Sequence, residues 1–550
     1  MNTHVNSTNQ PLSIKEKIGY ALGDGAANIA WRGVATFLLI FYTDVFGIAP
    51  AVVGVLMLVA RSSDGLSDVF MGIVGDRTKS KYGKFRPWIL WTAIPLGAIL
   101  SLLFTTPDLS NEGKVIYAYT TYILFTLIYT ANNIPYGALM AVMTGNDKER
   151  TSLGSYRMVG AFTGGMIVQG ALLYLVATFG NVNPSIQLEQ ITADSYLVTV
   201  SAPNDVPNAN IKTKNGIASF QWEDANFEDQ SITPSKSFLM EADFEYTFSV
   251  TGEENLTQES FSIINQKKGY STAIYVMSVF LTLFMFITFY TTKERIAPPK
   301  RQKTDLGTDF KDLLNNRPWF VLLLIGLLFN IYNSIKQGIV VIYFTHYLND
   351  QLLAASYMIA LTIASIGGAM ITASLGKKFG KKKLFIYALL FSAIVNALLF
   401  FCGTADIVAI FTLGIISEFA SAIFPTLFFA MLGDVADYSE YTNGRRATGL
   451  VYSAGSFATK FGGGIAAAII GFVLSAYHYD GLDHTTIEGA IPGIKMLMSW
   501  VPALIGVVAA GLMYLYPLND KFLERINIEL NKRRSLEENN SQADVLEEVL

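Results

Sequence analysis

Runs of about 20 apolar residues recur along nearly the whole chain with short polar breaks, and about 20 helical residues are what crosses roughly 30 Å of membrane hydrocarbon. Twelve such runs can be placed, at about 16–43, 50–75, 88–106, 115–141, 153–180, 270–291, 319–347, 353–375, 384–402, 407–432, 448–477 and 491–517. Lipid offers the backbone no hydrogen bonds, so a spanning segment must be a helix or part of a closed barrel. These runs are too long and too uniformly apolar for barrel strands. The expectation is an all-α membrane protein of twelve transmembrane helices. Composition agrees: 51% of the 550 residues are hydrophobic and only 15% charged, whereas soluble domains carry roughly a quarter charged residues.

Other classes drop out on charge and cysteine. Lys plus Arg (40) against Asp plus Glu (44) leaves a formal net charge of −4, which speaks against a nucleic-acid partner. A single cysteine, Cys402, excludes a disulfide framework and a cysteine-rich metal centre. The first fifteen residues are polar, so no removable signal peptide is expected.

Orientation follows from the basic loops. Arg77, Lys79, Lys81, Lys84 and Arg86 follow the second span, Lys293 to Arg317 the sixth, and Lys377, Lys378, Lys381, Lys382 and Lys383 the eighth. Positive loops face the cytoplasm. Breaks such as Asp44 to Pro50 then face outward, and an even number of spans puts both termini inside. The halves also echo each other: Gly75 to Lys84 after the second span corresponds to Gly376 to Lys383 after the eighth. Two six-helix bundles are expected, an arrangement in which transporters place a midplane site between repeats.

One segment departs from the pattern. Residues 183–266, between the fifth and sixth spans, hold 13 Asp plus Glu against three Lys and no Arg. Ser195 to Ser201 and Phe244 to Val250 alternate or cluster β-forming residues between turn signals, which predicts a small β-rich extracytoplasmic insertion. The expected organisation is residues 1–182 with the first five helices, 183–266 as the insertion, 267–292 as the sixth helix, 293–318 as a cytoplasmic loop, 319–517 as the second bundle and 518–550 as a cytoplasmic tail.

Ionisable residues inside spans are costly and point to function. Asp64 and Asp68 lie four apart on the second span, one turn from each other on one face. Two like charges there call for a cation between them, with Ser67 and Thr130 as further oxygen ligands, or for a proton on one carboxylate. Asp64 and Asp68 thus form the candidate metal (Na+) site; helix-end acids in cytoplasmic water are the competing account, weakened because Asp76 already supplies that acid. Arg32, Arg157, Lys336 and Lys460 are the intramembrane cations. Arg157 reads as an ion-pair partner for an acid such as Asp24, whereas Lys460 reads as a coupling residue competing with the cation for the carboxylates. Asn28 and Arg32 share a stripe of the first span with Asp24. Asn132 and Asn133 precede an Ile134-Pro135 break, and with Trp31, Tyr129 and Tyr332 these side chains suit a polyhydroxylated substrate.

With Phe41-Tyr-Thr-Asp-Val-Phe-Gly47, Leu58 to Asp68, Gly83-Lys-Phe-Arg-Pro-Trp88, Asn133-Ile-Pro135, Tyr343-Phe-Thr345, Asp434 to Tyr438 and Tyr452 to Lys460, the chain resembles the glycoside–pentoside–hexuronide:cation symporters, the melibiose-permease-like branch of the major facilitator superfamily. The likeness covers nearly all of the chain except the insertion, the tails and part of the middle loop. It implies the major facilitator fold, cation ligands at Asp64, Ser67, Asp68 and Thr130, a coupling lysine at Lys460, and substrate contacts at Tyr129, Arg157 and Ser456. Asn28 and Asn133 stand where melibiose carriers have sugar-gripping acids, and Ser67 where they have asparagine, so melibiose is a poor substrate guess and Na+ versus H+ stays open. Amides in place of acids, with Arg32 and Lys336 added, make a more positive cavity and predict an anionic glycoside or (oligo)uronide. Alternatives are a neutral pentoside or glycoside symporter, a lysolipid-type carrier or a non-transporting sugar sensor. No cofactor is expected beyond the co-transported cation. The expected partners are the sugar, the cation, membrane lipid and an outer-face partner for 183–266, in a bacterial inner membrane. No nucleophile–base pair suggests an enzyme, and the four histidines lie scattered at 4, 346, 478 and 484.

Overall fold

The computed structural model describes residues 11–144, 147–192, 195–209, 211–213, 219–222, 238–251, 256–295, 316–443, 448–519, 521–526, 528–530 and 532. Most of the expected middle loop and tail lies outside them. The helices are α1 (Ile14–Ile40), α2 (Pro50–Arg77), α3 (Arg86–Leu103), α4 (Asn111–Met143), α5 (Asp147–Gly180) and α6 (Gln266–Thr291) in the first half. The second half has α7 (Arg317–Ile342), α8 (Gln351–Phe379), α9 (Lys381–Leu398), α10 (Ile407–Ser421), α11 (Ile423–Asn443), α12 (Thr448–Ala476), α13 (His484–Met498) and α14 (Trp500–Leu512). The tenth expected span is thus α10 and α11, interrupted at Ala422, and the twelfth is α13 and α14, interrupted at Ser499. Pro135, expected to break the fourth span, sits inside a continuous α4.

Among the described residues ten helical stretches are long and apolar enough to cross a membrane. α2 and α4 are not among them, although at 28 and 33 residues both have the length. They carry the polar residues of the candidate site, including Arg61, Asp64 and Asp68 on α2.

The chain forms two compact units: Met1–Pro299 with Ile335–Ile359 and Ala467–Met498, and Lys300–Ser334 with Ala360–Ala466 and Ser499–Leu550. In the larger unit α1 packs on α5 and α6, and α3 on α4 and α6. Glycines set how close these helices come. A Cβ on Gly164 of α5 would stand 2.2 Å from the Gly25 carbonyl oxygen of α1, and one on Gly160 would stand 2.0 Å from that of Ala21. Only small residues permit backbones to cross at that distance. The Gly83-Lys-Phe-Arg-Pro-Trp88 stretch closes the loop before α3: Glu294 accepts the backbone N–H groups of Lys84, Phe85 and Arg86 at 2.9, 2.8 and 2.9 Å. Gly83, at φ 109°, faces that carboxylate, where a Cβ would collide. Arg86 also donates to the Phe289 carbonyl at 2.7 Å, and Trp88 Nε1 to Thr78 Oγ1 at 2.8 Å.

The smaller unit has an aromatic core in which Phe329 stacks on Phe424 with ring centroids 3.6 Å apart. Tyr332, expected near the substrate, is buried in this core, its hydroxyl 2.6 Å from Ser392 Oγ. That is a correction: its polar end serves helix packing.

The insertion is β-rich, as its alternation predicts. A four-stranded antiparallel sheet runs β1 (Ser185–Thr192), β2 (Ser195–Ser201), β7 (Tyr246–Thr251), β5 (Ser219–Trp222). Two small pairs join β3 (Val206–Ala209) to β6 (Phe238–Met240) and β4 (Ile211–Thr213) to β8 (Phe261–Ile263). Val198 and Val200 of β2 and Phe248 and Val250 of β7 turn one face into a separate core. An Asn181–Ile264 bridge closes its base between α5 and α6.

Candidate functional site

On α2, Asp64 is buried, 1% exposed, and Ser67 and Asp68 are half-buried. The fixed spacing of a helix turn brings this strip against α4, where Thr130 is buried. Thr130 Oγ1 donates to Asp68 Oδ1 at 3.2 Å and lies 3.4 Å from Ser67 Oγ, which itself donates to the Asp64 carbonyl at 2.9 Å. Ser67, Asp68 and Thr130 are therefore assembled, with Asp64 one turn away on the same helix. Two carboxylates and two hydroxyls are a hard-oxygen set suited to Na+ or a proton. Two negative charges shielded from water also require a positive charge to offset desolvation.

A second group of side chains surrounds α1. The close α1–α5 crossing places Arg157 Nε 3.3 Å from Asp24 Oδ1, with the guanidinium 5.5 Å from the Tyr136 ring centroid. Arg157 is thus the ion-pair partner that its position suggested. Asn28 donates to the Asp24 carbonyl at 2.9 Å, and the stem of Arg32 runs past Gly165, whose Cβ would stand 3.5 Å from it. Trp31 stacks on Tyr129 at 5.1 Å between ring centroids, and Arg61 of α2 lies over the other ring at 3.7 Å from the Trp31 centroid. Sequence reasoning passed over Arg61, which is only 7% exposed. Its spacing of three from Asp64 was the signal available.

Asn132 departs from expectation. It is fully buried and its amide donates to Thr92 Oγ1 of α3 at 2.7 Å, so it packs α4 on α3. Its neighbour Asn133, about 100° round the helix, is half-buried. Lys336 is buried on α7 within the larger unit. Lys460 and Ser456 lie on α12 in the smaller unit, and the side chain of Ser456 is outside the described residues. Glu418, also buried, accepts from Ser365 Oγ at 2.8 Å.

Residues 19–202 and 250–520 match the family described as MFS/sugar transport protein, the gap falling within the insertion. The chain is 29% identical to the putative glycoside/cation symporter YagG of Escherichia coli (strain K12), over 95% of this chain and 96% of that one. It is 28% identical to the glucuronide carrier protein homolog of the same organism, over 96% and 98%. Among solved structures, a bacterial homologue of the human lysosomal transporter Spinster, inward-facing and unoccupied, aligns with a TM-score of 0.62 at 12% identity, over 91% of this chain and 96% of that one. That likeness in fold, together with the family match, shows the major facilitator fold.

Proposed function

The chain belongs to the MFS/sugar transport protein family, and from that premise we propose that it is a secondary active symporter coupling inward flow of Na+ or H+ to uptake of a sugar. As a member of this transporter family it is a multi-pass membrane protein and not an enzyme. The observation that carries the symport reading is the α2–α4 oxygen cluster of Ser67, Asp68 and Thr130 beside buried Asp64, within the same unit as the Asp24–Arg157 pair and the Arg61–Trp31–Tyr129 stack. A cation entering the cluster neutralises α2, and the solute side chains on α1, α4 and α5 sit one helix away. Occupancy of one site thereby changes the other, which is the thermodynamic meaning of coupling. The basic loops support a cytoplasmic position for the termini and for the loops after α2 and α8.

For the substrate, the favoured class is an anionic glycoside or (oligo)uronide. Arg32, Arg61 and Lys336 are cationic side chains in the same unit as the Asp24–Arg157 pair, and a relative carries the name of a glucuronide carrier protein homologue. A neutral glycoside is the second reading. The Trp31–Tyr129 stack offers an apolar face to a sugar ring, Arg157 is already paired, and YagG is named for glycosides.

The deciding measurement is uptake by proteoliposomes under an imposed Na+ or pH gradient, with a panel of neutral glycosides and glucuronides. Accumulation of glucuronides, abolished in Asp64→Asn/Asp68→Asn, is the expected result. Gradient-driven accumulation surviving that double substitution in well-folded protein overturns the symport reading. Transport of xylosides or galactosides without competition by glucuronides overturns the anionic one.

A further inference from the structure

The first helix of each half ends in the same unusual way. α1 runs into a π turn at Phe41–Val45 and α7 into one at Tyr343–Tyr347. Phe46 and Ile48 N–H bond to the carbonyls of Phe41 and Tyr42, and Leu348 and Asp350 to those of Tyr343 and Phe344. Each turn is followed by a residue with positive φ, Gly47 at 77° and Asn349 at 55°. Every corresponding pair is 302 residues apart, so the internal repeat sets Thr43-Asp44 opposite Thr345-His346. π turns of this kind often mark functional positions.

These equivalent residues meet. His346 Nε2 lies 2.6 Å from Asp44 Oδ2, with the two side chains 4% and 7% exposed. Tyr479, in the segment after α12, donates to both Asp44 carboxylate oxygens at 2.8 and 2.9 Å and lies 2.8 Å from His346 Nε2. Thr43 Oγ1 donates to Asp44 as well. The surrounding seam is closed to backbone contact: a Cβ on Gly481 would stand 2.7 Å from Asp44 Cα, and one on Gly471 would stand 2.3 Å from the Pro50 carbonyl oxygen. All of these residues belong to the larger unit.

We propose that Asp44, His346 and Tyr479 form a proton-binding site that latches the outer closure of the carrier, shut when His346 is protonated and released when it is neutral. The proposal rests on the carrier reading above and its orientation, and it adds a site apart from the Asp64–Asp68 cluster. An imidazolium against a carboxylate adds the attraction of opposite charges to the hydrogen bond, which a neutral imidazole against the same carboxylate lacks. Histidine is the side chain whose charge ordinarily changes between about pH 5 and 8.

The neighbouring groups leave this role to His346. Tyr479 is held well above the ordinary tyrosine range, first by burial and then by the Asp44 charge, so it remains a donor throughout. Asp480 adjoins it, and Tyr270 receives a hydrogen bond from Gln351 at 3.2 Å. Lys114 sits over Phe46 at 5.7 Å and Lys495 over Tyr347 at 4.9 Å from the ring centroids. Protonation of His346 adds an ionic attraction to the contact with Asp44, so the latch is shut with the imidazole charged and released when it loses the proton.

The test needs no sugar. Full-length protein with Cys402→Ser and a reporter Asn28→Cys, about four turns inward from Asp44, is reconstituted and exposed to a membrane-impermeant maleimide from outside. Labelling is normalised to the denatured protein at each pH. The normalised rate is expected to rise about tenfold from pH 6 to pH 8. His346→Gln and Asp44→Asn are expected to label fast at both values, and Gly481→Ala, which forces the seam apart, likewise. Labelling that is equally slow at both pH values in the parent, or a pH response retained by both His346→Gln and Asp44→Asn, overturns the proposal. Failed sugar uptake by protein that keeps Asn28, alongside a pH-gated reporter in the Asn28→Cys protein, would instead indict the substrate reading, so the two failures are told apart.

Discussion

Thr130 joins α4 to α2 through one hydroxyl, donating to Asp68 and facing Ser67. On the symport reading proposed above, Thr130→Ala removes a candidate oxygen ligand and a charge-assisted hydrogen bond worth about 1.5 kcal/mol. The half-saturating concentration of the coupling cation in proteoliposome uptake should rise about tenfold, with little change in maximal rate. Arg61 lies over the Trp31 ring, which also stacks on Tyr129, and on the reading proposed above this group faces the solute. Lysine cannot stack in the same plane, so Arg61→Lys should raise the sugar KM about fivefold, equivalent to about 1 kcal/mol for a cation over a tryptophan face. The carboxylate pair was legible from a spacing of four in an apolar run. Where Arg61 and Asn132 point was not legible, because a residue's type and depth do not say which way it turns: one meets an aromatic stack and the other a threonine of α3.

Helix placement depends on side chains that are missing. Where Gly164 meets the Gly25 carbonyl, the backbones of α1 and α5 touch, and this contact brings Asp24 within reach of Arg157. Gly164→Leu should push the helices apart at a cost of about 1–3 kcal/mol for overpacking. Thermal unfolding of the detergent-purified protein should shift down and uptake should fall. The Gly83–Trp88 turn depends in the same way on one carboxylate. Glu294→Ala leaves three backbone N–H groups without their acceptor, at a cost of about 2 kcal/mol. A lower unfolding temperature with retained cation affinity should follow, because the α2–α4 cluster does not include that loop. In the second half, Lys381 pairs with Asp434 at 2.7 Å, so part of the repeated basic loop serves α9 and α11 directly.

The molecule carries its β-rich insertion on a narrow base, with the Asn181–Ile264 bridge at its foot and its own core of Val198, Val200, Phe248 and Val250. Replacing residues 183–263 by a short Gly-Ser linker should leave a carrier that purifies intact with its maximal uptake rate retained. A changed KM would assign the insertion a part in substrate recognition. Helix number, the β2 strand and the family motifs were readable along the chain because lipid and a half-buried sheet impose their demands at each position in turn, and hydropathy records them. Partners are chosen otherwise. Asp24 finds Arg157 133 residues away, and Asp44 finds His346 302 away, through glycine crossings and turns that leave no mark in hydropathy. Four histidines therefore looked scattered until folding brought one of them onto an acid, since proximity in space is a property of packed backbones and not of neighbouring letters.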